Sequence, residues 1–145
     1  FFRKCYDSLK IDGILALIIP LGISPELENS VKLVINQPEW KKFFINFRPK
    51  WFFSNSDKIK QGIEKNLFKI RHYQENIQEV TFPSRILFEK YILLWFPYLN
   101  PLPLYLKELF FKSIIDRYIS IIPYNPSGIT LRIPRLDIIA EKISL

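Results

Sequence analysis

Several residue types that build common active sites are scarce in this chain. Its 145 residues include one cysteine, Cys5, and one histidine, His72. A single cysteine excludes an internal disulfide framework and is typical of proteins in a reducing compartment, so we expect a cytoplasmic location. One cysteine and one histidine are also too few for a zinc site with the usual ligand spacing. We therefore expect no bound metal.

Long uninterrupted apolar runs are missing as well. The longest uncharged stretch, residues 91–106, contains three prolines, whereas a membrane span needs about 20 predominantly apolar residues. Charged residues within positions 1–10 exclude the apolar centre of a secretory signal. We expect no membrane partner. Methionine is absent even at position 1, and the chain opens directly in a helix-like pattern, which indicates a fragment or an excised segment.

The chain is organised around residues 8–20, SLKIDGILALIIP. The six consecutive apolar residues 14–19 predict a strand that is covered on both faces, and such strands belong to parallel sheets with helices on either side. Residues 1–10 have the spacing of a helix, and Ser24 followed by Pro25 marks the start of another helix. This order of helix, buried strand and helix predicts an α/β fold.

Positive charge is concentrated in one segment. The net charge is +7, and residues 41–71 contain nine lysines and arginines against two acidic residues, so this segment alone has an excess of seven. A concentrated basic segment indicates a polyanionic partner such as nucleic acid. The alternative is a solvated, lysine-rich surface without a partner.

Aromatic side chains are interleaved with these charges in residues 38–53, PEWKKFFINFRPKWFF. The alternation of Phe43, Ile45 and Phe47 predicts a strand that ends before the next proline. A short basic helix is expected to follow, up to about residue 65. The alternating residues 67–73 then predict an antiparallel partner strand.

The second half of the chain is predicted to be mainly helical. Its hydrophobic spacing and its prolines indicate helices over residues 84–96 and 104–122, a short strand over residues 128–133 and a last helix that begins at Pro134. We therefore divide the chain into residues 1–73 and a mainly helical extension, residues 74–145.

Two of these stretches resemble one enzyme family. The pattern S-L-K-x-x-G followed by I-L-x-L-I-I-P, in residues 8–20, is similar to the helix and fifth strand of class I S-adenosylmethionine-dependent methyltransferases, and above all to the DNA adenine-N6 type of restriction-modification systems. Trp40, Phe47 and Arg48-Pro49 are similar in order and spacing to a later aromatic segment of the same enzymes. The resemblance implies that residues 1–73 are the distal half of a Rossmann-like methyltransferase sheet.

The resemblance also implies a reaction, the transfer of a methyl group from S-adenosylmethionine to adenine N6 in DNA. An adenine must leave the duplex stack before such a transfer, and an aromatic ring then holds the flipped base. By resemblance, Phe47 is the candidate for this ring, with Phe44 second, although phenylalanines in such a segment also serve as core residues. The candidate phosphate contacts are Lys41, Lys42, Arg48 and Lys50.

The cofactor-binding and catalytic motifs of the family are not in this sequence. No G-x-G loop is present, and Asn125-Pro126-Ser127 lacks the second proline and the aromatic residue of the catalytic N-P-P-[YF] motif, so we interpret it as a turn. The resemblance therefore implies that S-adenosylmethionine binds through a missing N-terminal part and that this segment alone is inactive. Two alternatives stay open: a non-enzymatic basic α/β module for nucleic-acid binding or interaction, and a methyltransferase acting on RNA, protein or a small molecule.

Overall fold

A computed structural model of the chain describes residues 1–144. Within them lie six α-helices, one short 3₁₀ helix and three β-strands, in the order α1 Phe2–Ser8, β1 Ile14–Pro20, α2 Pro25–Ile35, α3 Pro38–Lys41, α4 Ser56–Lys65, β2 Phe68–Phe82, α5 Arg85–Leu93, the 3₁₀ helix Pro97–Leu99, α6 Leu104–Ile121 and β3 Ile129–Lys142. This set of elements confirms the mixed α/β class. It also confirms a strand at β1 and the helices predicted before and after it in the sequence.

The three strands form one sheet in the order β1-β3-β2. β1 pairs antiparallel with β3, in a register that places Ile14 opposite Glu141 and Pro20 opposite Arg135. The prediction of a parallel sheet around residues 14–19 is therefore wrong. Residues 67–73 fall largely within β2 as predicted, but the neighbour of β2 is β3.

β1 lies at one edge of this sheet and has one open face. Its side chains alternate between exposed and half-buried positions, with Ile14, Ala16 and Ile18 exposed. The prediction that helices cover both faces is therefore wrong. A short apolar run does not reveal its neighbours, because a doubly covered strand and an edge strand packed on one face both read as continuous apolar sequence.

The fold divides into two compact units, each made of separate stretches of sequence. Unit 1 comprises residues 1–22, 52–78 and 133–144, and unit 2 comprises residues 23–51 and 79–132. Strands β2 and β3 contribute residues to both units. The predicted boundary after residue 73 falls inside β2.

The core of unit 1 is aliphatic and lies on one face of the sheet. α4 contributes Ile59 and Ile63, which are four residues apart and therefore share one face of the helix. β3 contributes Leu136, Ile138 and Ala140, which alternate with more exposed residues. Side chains of α1 pack against the same core. One face of the sheet is thus covered by α1 and α4.

A buried lysine ties the end of α1 to β3. Lys142 Nζ donates hydrogen bonds to the carbonyl oxygens of Tyr6 and Leu9, each at 2.6 Å. The last carbonyls of a helix have no partner within the helix and carry partial negative charge, so a cation is stabilising there. This contact fixes α1 beside the sheet.

Strand β3 takes the place of the helix predicted after Pro134. Leu136, Ile139 and Ile143 have helical spacing, but Leu136, Ile138 and Ala140 also alternate with period two. The second pattern prevails, since those three residues are at most 1% exposed whereas Ile139 is 42% exposed. Pairing with β1 decides between two patterns that the sequence contains together.

Helices α2 and α6 pack together in unit 2. Ser24 caps α2 as predicted, because its Oγ accepts a hydrogen bond from the backbone N–H three residues later. The core of unit 2 mixes aliphatic side chains with several aromatic rings that contact one another. Phe110 lies 5.1 Å from Trp40, and Tyr118 stacks on Phe88 at 5.2 Å between ring centroids.

Residues 43–47 form successive turns after α3, so the strand predicted there is wrong. The N–H groups of Phe43 and Phe44 donate to carbonyls three residues earlier, at 3.0 and 3.1 Å, and the Phe47 N–H donates to Phe44 at 3.2 Å. Such bonds close tight turns and not a sheet ladder. An alternating pattern of only five residues does not by itself determine an extended backbone. Here the Phe44 ring reaches the core from a turn, so no strand is needed to bury it.

Candidate nucleic-acid interface

The turns after α3 line an open groove in unit 2. Its volume is about 400 Å³, and its lining consists of Lys42, Phe43, Ile45, Asn46, Phe47 and Pro101. We call it the Phe47 groove. Two residues singled out in the sequence, Phe47 as a base platform and Lys42 as a phosphate contact, therefore line the same groove.

Phe47 is half-buried and packs against two other rings. Its ring centroid lies 5.7 Å from that of Phe44, nearly edge-on, and 5.6 Å from that of Tyr98. These contacts hold the ring in place while part of its surface stays accessible. A ring that is already held loses little conformational entropy when a planar ligand stacks on it.

Phe44 belongs to the core and not to the accessible surface. It is 8% exposed and stacks on Phe110, with 5.1 Å between ring centroids and 25° between ring planes. A stacking base needs an open ring face, which Phe44 does not offer. Phe44 is therefore not accessible to a stacking base, whereas Phe47, whose ring it contacts, stays a candidate.

The four candidate phosphate contacts are all exposed. Lys42 lines the Phe47 groove, and its Nζ lies 5.1 Å from the centroid of the Phe43 ring, within cation–π distance. Lys41, Arg48 and Lys50 are outside the groove lining. Among residues 1–144, none of these four cations forms an ion pair with an acidic side chain. They remain able to contact phosphate.

The rest of the basic segment lies in unit 1. Lys58, Lys60 and Lys65 are exposed on α4, and Lys60 Nζ is 6.0 Å from the centroid of the Tyr73 ring. Arg71 is paired with Glu141. The positive charge that is continuous in sequence is thus divided between two units, and each holds its own basic surface.

The sequence Asn125-Pro126-Ser127 forms a turn, as predicted. Asn125 Oδ1 accepts a hydrogen bond from the Ser127 N–H at 2.9 Å, and Nδ2 donates to Thr130 Oγ1 at 3.0 Å. Gly128 closes the turn with φ of +133°, and a Cβ there would lie 1.9 Å from a backbone oxygen. The oxygen and the nitrogen of the Asn125 side-chain amide thus both form hydrogen bonds that stabilise the turn.

One charged cluster in unit 2 was not predicted. Arg132 lies between Glu26 and Glu79, at 3.5 and 3.3 Å between nitrogen and oxygen, and all three line a cavity of about 280 Å³. They come from α2, β2 and β3, which are far apart in the sequence, so no local sequence motif predicts the cluster. Because the cation meets both acids, we assign the cluster a structural role.

A second unpredicted cluster lies on β2 and β3 in unit 1. Asp137 Oδ2 accepts hydrogen bonds from Asn76 at 2.7 Å and from Arg135 at 3.0 Å. The hydrogen bond from Asn76, reinforced by that from Arg135, lowers the pKa of Asp137 against the effect of desolvation. Asp137 is therefore held as a carboxylate on the face of the sheet opposite the core.

The chain matches no known family profile and no curated protein. In residues 1–144, no three His, Cys, Asp or Glu side chains are grouped as the ligands of a metal ion would be. Over the same residues, none of the helices combines the length and apolar character that crossing a bilayer requires.

Proposed function

We propose that this chain is the distal part of the catalytic domain of a DNA adenine-N6 methyltransferase, and that the Phe47 groove receives the flipped adenine. One observation carries the proposal. Lys42 and Phe47 were selected on separate grounds, charge and family resemblance, and both line this one groove. A flipped nucleotide needs both contacts, an aromatic ring for its base and a cation for its phosphate.

Asn46 adds a polar group of the right kind. It lines the same groove and is exposed. A side-chain amide both donates and accepts hydrogen bonds, and it matches the N6 and N7 atoms of adenine better than the corresponding atoms of guanine. The groove thus offers stacking, charge and an adenine-type hydrogen-bonding group together.

The sheet gives the proposal no support. A Rossmann-like sheet is mostly parallel, whereas β1 has an antiparallel neighbour and an edge position. The proposal therefore rests on the order of the motifs and on the Phe47 groove. In it, S-adenosylmethionine and the N-P-P-[YF] motif belong to a part of the parent protein that this sequence lacks, residues 1–145 alone are inactive, and the location is cytoplasmic.

The test measures how tightly the 145-residue chain binds duplexes that differ at one base. The first duplex carries adenine opposite an abasic site, where the base leaves the stack at low cost, and the second carries cytosine there. We expect tighter binding of the adenine duplex. Phe47→Ala should lose at least about fivefold of that affinity, since stacking contributes ~1–3 kcal/mol per base.

Phe52→Ala is the matched control, because Phe52 is 98% exposed and lies outside the groove lining. It should bind both duplexes like the wild type. Equal affinity of wild type and Phe47→Ala for the adenine duplex would remove the base-binding role of the groove.

A second function, a basic module that binds nucleic acid without chemistry, is favoured by the exposed lysines of α4. Lys58, Lys60 and Lys65 have no acidic partner among residues 1–144. Contacts of this kind bind phosphates irrespective of sequence and weaken steeply with salt. Duplex binding with a steep salt dependence and no preference between the two duplexes would favour this module over the methyltransferase.

A further inference from the structure

The two edge strands of the sheet differ in how well their side chains prevent pairing with a further strand. The edge strand β2 carries Lys69, Arg71 and Glu75 within unit 1, whereas β1 has no charged residue from Ile14 to Pro20. Charged side chains on an edge strand prevent another strand from pairing with it, and an apolar edge without them invites pairing. β2 is therefore a protected edge and β1 is an open one.

The free hydrogen-bonding groups of β1 can be identified from its register. Gly13 O accepts from the Lys142 N–H and the Leu21 N–H donates to Pro134 O, both at 2.9 Å, so the odd-numbered residues bond to β3. In an antiparallel pair, the residues between them turn their N–H and C=O groups to the other side. The backbone groups of Ala16 and its even-numbered neighbours therefore point away from β3.

A groove borders this open edge. It lies along α1 and the start of β1, has a volume of about 550 Å³, and includes Cys5, Leu9 and Leu15 in its mainly apolar lining. Lys4 is its one lining residue with a charged side chain and forms no ion pair with any side chain of residues 1–144. The groove can take apolar side chains and one acidic group.

We propose that β1 accepts an additional β-strand along its open edge, supplied by an extended segment of another polypeptide. Its main chain bonds to the free groups of β1, and alternate apolar side chains enter the groove, as in other cases of strand addition. The segment carries an acidic residue that meets Lys4. A second copy of this chain is the wrong partner, because each copy brings its own Lys4 and a net charge of +7.

This surface lies in unit 1 and the Phe47 groove lies in unit 2. Strand addition therefore does not depend on the proposed base binding. The two proposals are tested with different probes, peptide and DNA, so that failure of one is distinguishable from failure of the other.

The experiment measures fluorescence anisotropy of a labelled peptide in which valine alternates with threonine and a glutamate stands at each end. We expect saturable binding to the 145-residue chain. Ala16→Pro removes an N–H that points to the open edge but leaves the bonds to β3, and proline is tolerated at such positions. It should weaken binding at least about tenfold, whereas Ala16→Ser, which keeps the N–H, should bind like the wild type.

One further variant and one altered peptide keep the test decisive. If Ala16→Pro fails to fold, Ala16→Lys places a charge on the edge without changing the backbone and should also abolish binding. A peptide with lysines in place of the glutamates should bind more weakly than the original. The proposal would be overturned if the wild-type chain bound no peptide, or if folded Ala16→Pro and Ala16→Lys bound the peptide as tightly as the wild type. A wild-type dimer that either variant converts to a monomer would also overturn it.

Discussion

The cores of the two units differ in their share of aromatic side chains. In unit 1, isoleucine, leucine and alanine from α4 and β3 fill the space beside the sheet. In unit 2, buried rings lie among about as many aliphatic side chains, and rings contact rings, as Phe110 does with Trp40 and Phe44. Aliphatic groups pack in many orientations, whereas ring pairs favour offset-stacked or edge-on geometries.

This difference bears on the candidate site. The ring contacts of unit 2 run from Phe110 through Phe44 to Phe47, and Phe47 is half-exposed in the groove. The groove is thus the outer end of an aromatic core. We infer that the position of the Phe47 ring depends on the buried rings of Phe44 and Phe110 behind it.

The largest loss of stability is expected from truncating a fully buried ring in the core of unit 2. Phe110 is 0% exposed and contacts two rings. Phe110→Ala should lower the free energy of unfolding by about 3–5 kcal/mol, because it removes buried surface and leaves a cavity. Chemical denaturation measures this loss. Leu109→Ala on the same helix, 56% exposed, is the control and should change it little.

A substitution that keeps apolar volume tests the ring geometry itself. Phe110 has two ring contacts, while the buried Phe68 of unit 1 has one, with Tyr6 at 5.8 Å. Each aromatic pair contributes about 0.5–1.5 kcal/mol beyond burial. Phe110→Leu should therefore cost about 0.5–1.5 kcal/mol more unfolding free energy than Phe68→Leu, the contribution of one additional aromatic pair. Equal costs in denaturant titrations would mean that the rings of unit 2 act as ordinary apolar volume.

Local signals in the sequence predicted much of the secondary structure. Ser24 and Pro25 fix the start of α2 because an N-cap and a proline act within a few residues. The apolar run of residues 14–19 likewise gives a strand. Pairing partners are different, since β1 meets β3 more than a hundred residues later in the chain, and nothing within residues 14–19 specifies that neighbour.

The candidate site was predictable in part. Lys42 and Phe47 were found through charge and resemblance, but Pro101 completes the groove from a distant part of the sequence. The burial of Phe44 was not predictable, because Phe43, Phe44 and Phe47 are the same residue type and only the turn decides which ring enters the core. The lining of a groove depends on tertiary contacts that a linear pattern does not contain.

The smallest effect concerns pH and again distinguishes the two cores. Tyr118 is 0% exposed, stacks on Phe88, and donates from its hydroxyl to the Thr130 carbonyl at 2.6 Å. Burial raises the pKa of Tyr118 to about 12, above the value of about 10 for an unfolded tyrosine. Between these values the unfolded chain releases a proton that the folded chain retains, so the free energy of unfolding should fall as pH rises.

Denaturant titrations of wild type and Tyr118→Phe across this range measure the effect, with Tyr124→Phe, 91% exposed in the wild type, as the control. The alkaline loss should be smaller in Tyr118→Phe than in the wild type or the control, and an equal loss in all three would assign it to groups outside this ring-lined core.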